Sequence, residues 1–286
     1  MKRILIVGIA AFSMVCIAAA QNLKLPATVE AGAGLAIPTS GSGDATLYVY
    51  GPGTAIKKKI QLGQSIQLSG AELKAAGRYT VILKGGEDAS GTFAALPAKL
   101  DSIAFLARPS RVPASRRGGI SGSAYLFDAY NNLVLSPTPV KFQLDVEGGA
   151  PVTRTATSKN GVAWVQMDSG KRAGTAQFDA SAEDASVKRV VQETAADPCN
   201  LRMHAQPDKD GSILVETDPI KDCSGNPVPD GTIVTFTSTD PSGRSTVDAR
   251  IKQGVAKAEL PASQNALLSV AAGVVMGNEI HWGGGK

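Results

Sequence analysis

DCSGNPVPDGTIVTF, residues 222–236, gathers Gly225, Asn226, Pro227, Pro229 and Gly231 into one turn-rich run and then passes into β-branched and aromatic residues. Glycine and asparagine tolerate positive φ, and the two prolines stiffen the connection. From Ile233 to Phe236 the side chains alternate in character, the pattern of a strand with one buried and one wet face. The stretch therefore reads as a turn delivering the chain into an antiparallel sheet.

A weaker copy lies earlier. Asp128, Asn132, Val134 and Phe142 precede Asp222, Asn226, Val228 and Phe236 by a constant 94 residues. Downstream, NGVAWVQM (160–167) matches QGVAKAEL (253–260) at an offset of 93, and TAQFDAS (175–181) matches LLSVAAG (267–273) one residue closer still. Self-similarity at this period reads as two copies of one domain. Each copy parses as short strands punctuated by turn residues: SGSAYLFDAY, TPVKFQLDV, GVAWVQM and TAQFDASA in one, SILVETDP, TIVTFTST, GVAKAEL and ALLSVAAG in the other. Such spacing over about 100 residues is that of an immunoglobulin-like sandwich.

The chain begins MKRILIVGIAAFSMVCIAAAQ: a basic start, an apolar run and Ala18-Ala19-Ala20 before Gln21, the plan of a cleaved secretory signal peptide. The run is short for a membrane anchor, and Ser13-Met14-Val15 fits poorly as the box preceding a lipid-bearing Cys16. Removing residues 1–20 leaves two cysteines, Cys199 and Cys223, which are expected to pair in an oxidising compartment. A pair closing about two dozen residues stabilises by roughly 3 kcal/mol in the chain-entropy model. The formal net charge is +4, of which Lys2 and Arg3 supply two, which argues against a nucleic-acid role. No second apolar run is long enough to cross a bilayer, so the expected location is periplasmic, extracellular or on the cell surface. Expected limits are a signal peptide at 1–20 and domains at 21–98, 99–196 and 197–286.

The order D-x-x-G-N-P-V-P-D-G-x-x-V-x-F, then a G-V-A-x-A strand and an Ala-rich closing strand, resembles the bacterial immunoglobulin-like domains of the invasin and intimin group. The likeness is clean in the last unit and looser in the middle one, where Leu133 replaces the first proline. It implies an all-β chain of tandem immunoglobulin-like sandwiches with stalk or adhesion duty. The first unit is not a clear copy. Within it, Ser69 and Glu72 have the spacing of a capping box, and Tyr79, two residues after Gly77, is similar to a tyrosine corner whose phenol pins the strand.

Few marks of catalysis occur. His204 and His281 lack a G-x-S-x-G or H-E-x-x-H context, the terminal GGGK is not a phosphate loop, and the Asp208–Gly211 segment reads as a hairpin turn rather than a calcium loop. No enzyme activity and no cofactor are expected. Arg108, Arg111, Arg116 and Arg117 form the candidate partner surface, with an edge or interdomain strand stiffened by Pro109 and Pro113 as the structural alternative. Lys57, Lys58 and Lys59 form a second basic run. Of the two indoles, Trp282 is the one expected to be exposed, near a frayed end, and Trp164 depends on strand register. The expectation is a secreted, non-catalytic envelope or surface interaction module whose partner is another envelope protein or a surface glycan. The alternative is a carbohydrate-binding or accessory protein for envelope polysaccharide; a pilus-type chaperone is a third reading.

Overall fold

The computed structural model describes residues 21–85, 88–146, 149–261 and 263–283. The signal-peptide reading, Cys16 included, and Gly284, Gly285 and Lys286 lie outside them. Apart from two 3-10 turns, Gly70–Glu72 and Lys209–Gly211, the regular elements described are strands, and the chain folds as tandem immunoglobulin-like sandwiches. No helix among the described residues is long and apolar enough to cross a membrane. Two compact units are present: Met1–Lys99 with Asp128–Asn132, and Leu100–Phe127 with Leu133–Lys286.

The second unit holds two apolar cores. Around the first, a sheet of Val162–Met167, Ile120–Phe127 and Ser102–Arg108 faces a sheet of Ala185–Thr194, Gly174–Ala182, Pro139–Val146 and Val152–Thr157. Around the second, Met203–Pro207, Ile213–Thr217 and Lys257–Leu260 face Gly243–Arg250, Ile233–Asp240, Ala266–Ala272 and Val275–Trp282 in the corresponding order. Many core side chains correspond by position. Val140 and Phe142 occupy the places of Val234 and Phe236, Ala163 and Met167 those of Ala256 and Leu260, and Ala176, Phe178 and Ala180 those of Leu268, Val270 and Ala272, all of them buried. Both copies enter the Val162 or Val255 segment through a two-residue turn with two positive φ angles, Asn160-Gly161 in one and Gln253-Gly254 in the other. Such turns match the right-handed twist of the strands they join.

Phe105, Phe142 and Phe178 meet at ring-centroid separations of 5.0 to 6.3 Å. Gly122, mid-strand, exists to admit them: a Cβ there would lie 2.8 Å from the Phe178 ring. Strands that the sequence pattern did not reveal, such as Val152–Thr157 and Gly243–Arg250, run at sheet edges with mostly exposed or half-buried side chains. An edge strand packs less and tolerates charge, so alternation is lost in Val152–Thr157 and is shallow in Gly243–Arg250, where only Val247 and Ala249 reach the core. Trp282, expected near a frayed end, closes a paired strand, Val275–Trp282.

The first unit repeats the same order although its sequence does not align. Gln21–Asn22 runs parallel to Ala89–Leu96, which continues antiparallel through Gly77–Lys84, Asp44–Gly51 and Thr54–Gln61. Arg111–Pro113 bears the same parallel relation to Ala185–Thr194 in the second unit. Leu35–Ile37 pairs with Ile66–Leu68 as the opposing sheet.

Candidate functional site

The most elaborate polar cluster is built on the turn of the opening stretch. Asp222 accepts at Oδ1 from the backbone N–H groups of Ser224 (2.8 Å) and Asn226 (2.9 Å), a local turn that Gly225 completes at φ +87°. Its Oδ2 accepts from Asn226 Nδ2 (2.8 Å) and from the N–H of Ala196 (3.0 Å). Asn226 then reaches into the preceding sandwich. Its Oδ1 accepts from Ala173 N–H (2.9 Å), and its Nδ2 donates to the Lys171 carbonyl (2.9 Å). Both side chains are buried, Asp222 at 4% exposure and Asn226 at 8%. Burial opposes the Asp222 charge, but the Asn226 amide and the N–H groups of Ala196, Asn226 and Ser224 outweigh it and hold the carboxyl below its ordinary value. Asn226 was expected to serve the turn through positive φ. It serves through its amide, and Gly225 and Gly231 supply the positive φ angles.

An equivalent clamp occurs in the first unit. Asp128 Oδ1 accepts from Tyr130 (2.9 Å) and Asn132 (2.8 Å) N–H, and Oδ2 from Asn132 Nδ2 (2.9 Å) and Ala98 N–H (2.9 Å). Asn132 accepts from Ala76 N–H and donates to the Lys74 carbonyl, each at 2.8 Å. Asn131 takes the place of Gly225 with φ +64°. The receiving loops share a signature that the sequence reading missed, K-A-A-G at 74–77 and K-R-A-G at 171–174. A comparison anchored on the lysines, 97 residues apart, would have found it.

Around each clamp one pair of contacts varies. In the first unit Tyr130 lies on Gly32, where a Cβ would stand 2.1 Å from the phenol oxygen. In the second, Ser224 takes the corresponding position and its Oγ lies 2.6 Å from Ser115 Oγ. The backbone bonds are matched: Gly32 N–H donates to Leu73 and Ser115 N–H to Gly170. Gly170 in turn donates to Glu193 Oε1 (2.8 Å), while Glu193 Oε2 has no partner among the described residues and the side chain is 1% exposed. Burial pushes this carboxyl above its ordinary value, with the Gly170 bond opposing in part.

Cys199 and Cys223 form a disulfide across a separation of 24 residues, and Cys199 N–H donates to the Lys221 carbonyl (2.8 Å). The bridge ties the segment leading into the last core to the clamp turn. Tyr79 is buried against Phe93, and its hydroxyl donates to the Ala75 carbonyl (2.9 Å), inside the K-A-A-G loop. The Glu72 carboxylate accepts from Ser69 N–H (2.8 Å) and Lys58 Nζ (3.0 Å), and the Lys58 bond foremost holds it below its ordinary value.

Arg108, Arg111, Arg116 and Arg117 are exposed. Trp282 corrects the expectation of exposure: it is half-buried against the second core of its unit because the paired strand ending in it turns the indole inward. Trp164 is the open indole, 56% exposed. His204 Nε2 lies 2.8 Å from Asp218 Oδ1 on the surface, and the neighbouring Thr217 hydroxyl accepts from Ala256 N–H. No group of three or more His, Cys, Asp or Glu side chains suited to a metal occurs among the described residues.

No protein-family model matches the chain, and no curated protein does. Solved structures do. The FdeC adhesin of Escherichia coli aligns at a TM-score of 0.59 and 16% identity over 91% of this chain and 95% of that one. InvD of Yersinia pseudotuberculosis aligns at 0.48 and 14% over 90% and 94%, and invasin, described as a bacterial integrin-binding protein, at 0.47 and 15% over 87% and 56%. At these identities the likeness to FdeC is one of fold: the chain shares its architecture of tandem immunoglobulin-like domains.

Proposed function

We propose that the chain is an exported, non-catalytic interaction module of the bacterial envelope. Three immunoglobulin-like domains, at 21–98, 99–196 and 197–286 behind a signal peptide at 1–20, present their loops and edge strands to a protein partner at the cell surface. The observation that supports this best is the clamp at Asp222 and Asn226. It fixes two successive sandwiches through buried hydrogen bonds, which suits a stiff display element and has no evident use in a reaction. The fold shared with a protein described as an adhesin favours attachment as the task, and the disulfide favours an oxidising compartment. Exposed Arg108, Arg111, Arg116 and Arg117 are the surface we assign to an acidic partner.

Fractionation of the tagged protein from its native cells, followed by crosslinking and identification of captured proteins, tests this. The expected result is an oxidised protein outside the cytoplasm, crosslinked to envelope or surface proteins and less so after Arg116→Glu with Arg117→Glu. Recovery in the cytoplasm with both cysteines reduced would overturn it.

A further inference from the structure

The outer face of the Asp44–Gly51 sheet carries a feature that neither clamp nor core requires. Alternation sends Ala45, Leu47 and Val49 into the core and leaves Tyr48 and Tyr50 on the outside, with Tyr50 47% exposed. Their rings are parallel within 2°, with centroids 6.4 Å apart. On the neighbouring strand Lys57 pairs with Tyr48 in register and sets its Nζ 5.6 Å from the ring centroid, and Lys59 pairs with Thr46 one row away. Lys58, between them, points to the other side and is bound by Glu72. Lys84, opposite Thr46 on the far flank, is bound by Asp88, and Asp44 is bound by Gln61. Among the described residues Lys57 and Lys59 have no carboxylate partner.

The rings stack on one another, and the half-exposed Tyr50 ring leaves apolar surface suited to the C–H face of a pyranose. Two ammonium groups without a carboxylate partner among the described residues, that of Lys57 lying over the Tyr48 ring, favour a ligand with repeated negative charge. We propose that this face binds an acidic polysaccharide, one bearing uronate or sulfate groups, with Tyr48 and Tyr50 as the stacking surface and Lys57 and Lys59 as the charge contacts. Single-stranded nucleic acid also combines stacking with charge, but a chain of net charge +4 bears little of the basic excess such binding uses. This inference goes beyond the display role, which stands on the clamps whether or not the face binds sugar.

The test uses the full mature chain, immobilised, at about 0.15 M salt so that loose charge contacts are screened. Polygalacturonate, heparin, dextran and oligo-dT are the probes. Saturable binding of polygalacturonate or heparin, with dextran not retained, is expected. Binding should weaken at least tenfold both in Tyr48→Ala with Tyr50→Ala and in Lys57→Ala with Lys59→Ala, and survive in Tyr48→Phe with Tyr50→Phe. Circular dichroism and melting verify that each variant is folded, as outward side chains predict. Loss only in the lysine variant means ion exchange and overturns the proposal. Preference for oligo-dT, or no binding of either acidic polysaccharide by the folded wild type, overturns it as well.

Discussion

Replacing Asn226 with alanine removes three side-chain hydrogen bonds at once: Nδ2 to Asp222 Oδ2, Nδ2 to the Lys171 carbonyl, and Ala173 N–H to Oδ1. Each neutral bond contributes about 1 kcal/mol net and the bond to the carboxylate about 1.5–3 kcal/mol, so the clamp should loosen by about 3–5 kcal/mol. The sandwich cores on either side share no side chain with Asn226, so the loss is local rather than global. Amide hydrogen exchange reads it residue by residue. Ala173 should exchange at least a hundredfold faster, since each 1.4 kcal/mol is about a factor of ten, while amides inside Gly174–Ala182 remain protected. Asp222→Ala should instead expose Ala196, Ser224 and Asn226, whose N–H groups end on its oxygens. Unchanged exchange at Ala173 in Asn226→Ala would refute the clamp as a holding device. So would equal acceleration throughout the adjoining core, which would mean that the residue supports the fold rather than the connection.

Two buried carboxyls give opposite pH dependences. The folded carboxyl of Asp222 lies below its ordinary 3.8, so its stabilisation is present above that pH and lost as the pH falls through the folded value. That of Glu193 lies above its ordinary 4.5, so its contribution is most favourable below 4.5 and declines as the pH rises through the folded value. Denaturation across pH 2–7 should therefore show Asp222→Asn flattening the acid limb and Glu193→Gln flattening the decline above 4.5; slopes unchanged by either variant would contradict the assignment. Tyr79→Phe keeps the buried ring and loses the bond to Ala75, which should cost about 1 kcal/mol in urea unfolding. Reduction of Cys199–Cys223 should lower stability by about 3 kcal/mol in the chain-entropy model, and a Cys199→Ser, Cys223→Ser variant should show the same loss and no further response to reductant. Gly32→Ser should open the Ala76 amide to exchange by displacing Tyr130, and Tyr130→Ser in that background should restore part of the protection by reproducing the Ser115–Ser224 pairing; equal exchange in the single and double variants would count against the contact.

Legibility in the sequence followed burial. Pro139–Val146 and Ile233–Asp240 lie mid-sheet with apolar residues on one face, so their alternation and their offset of 94 were visible. Edge strands such as Val152–Thr157 pack little and left no pattern. The first unit hid its kinship because a sandwich constrains volume and polarity in its core more than identity. Its receiving loop, Lys74 to Gly77, shares three of four letters with the second receiving loop, Lys171 to Gly174. The aromatic reading failed at Trp282 because sequence position suggested a free end, whereas pairing with Ala266–Ala272 turned the indole onto the core.

The clamps explain why Asp and Asn recur at both turns where core letters differ. The contact beside each clamp can be made by different residue pairs, a Tyr130 ring on Gly32 in one and a hydroxyl pair, Ser224 with Ser115, in the other. The clamp bonds have no such freedom. Each must end on a backbone N–H or carbonyl fixed by the receiving loop, and only the Asp-x-x-x-Asn spacing lets the carboxylate hold its own turn while the amide reaches beyond it. Leaving any of these buried groups unpaired costs about 1–3 kcal/mol. Opening the Asp222–Asn226 connection breaks several together, whereas bending a purely apolar contact would break none. The order of the two residues also sets direction, because the aspartate binds the linker and the asparagine binds the loop of the preceding sandwich. The Asp222–Asn226 connection ties the last sandwich to the one before it within the second unit, and leaves the outer sheet faces and loops free to differ.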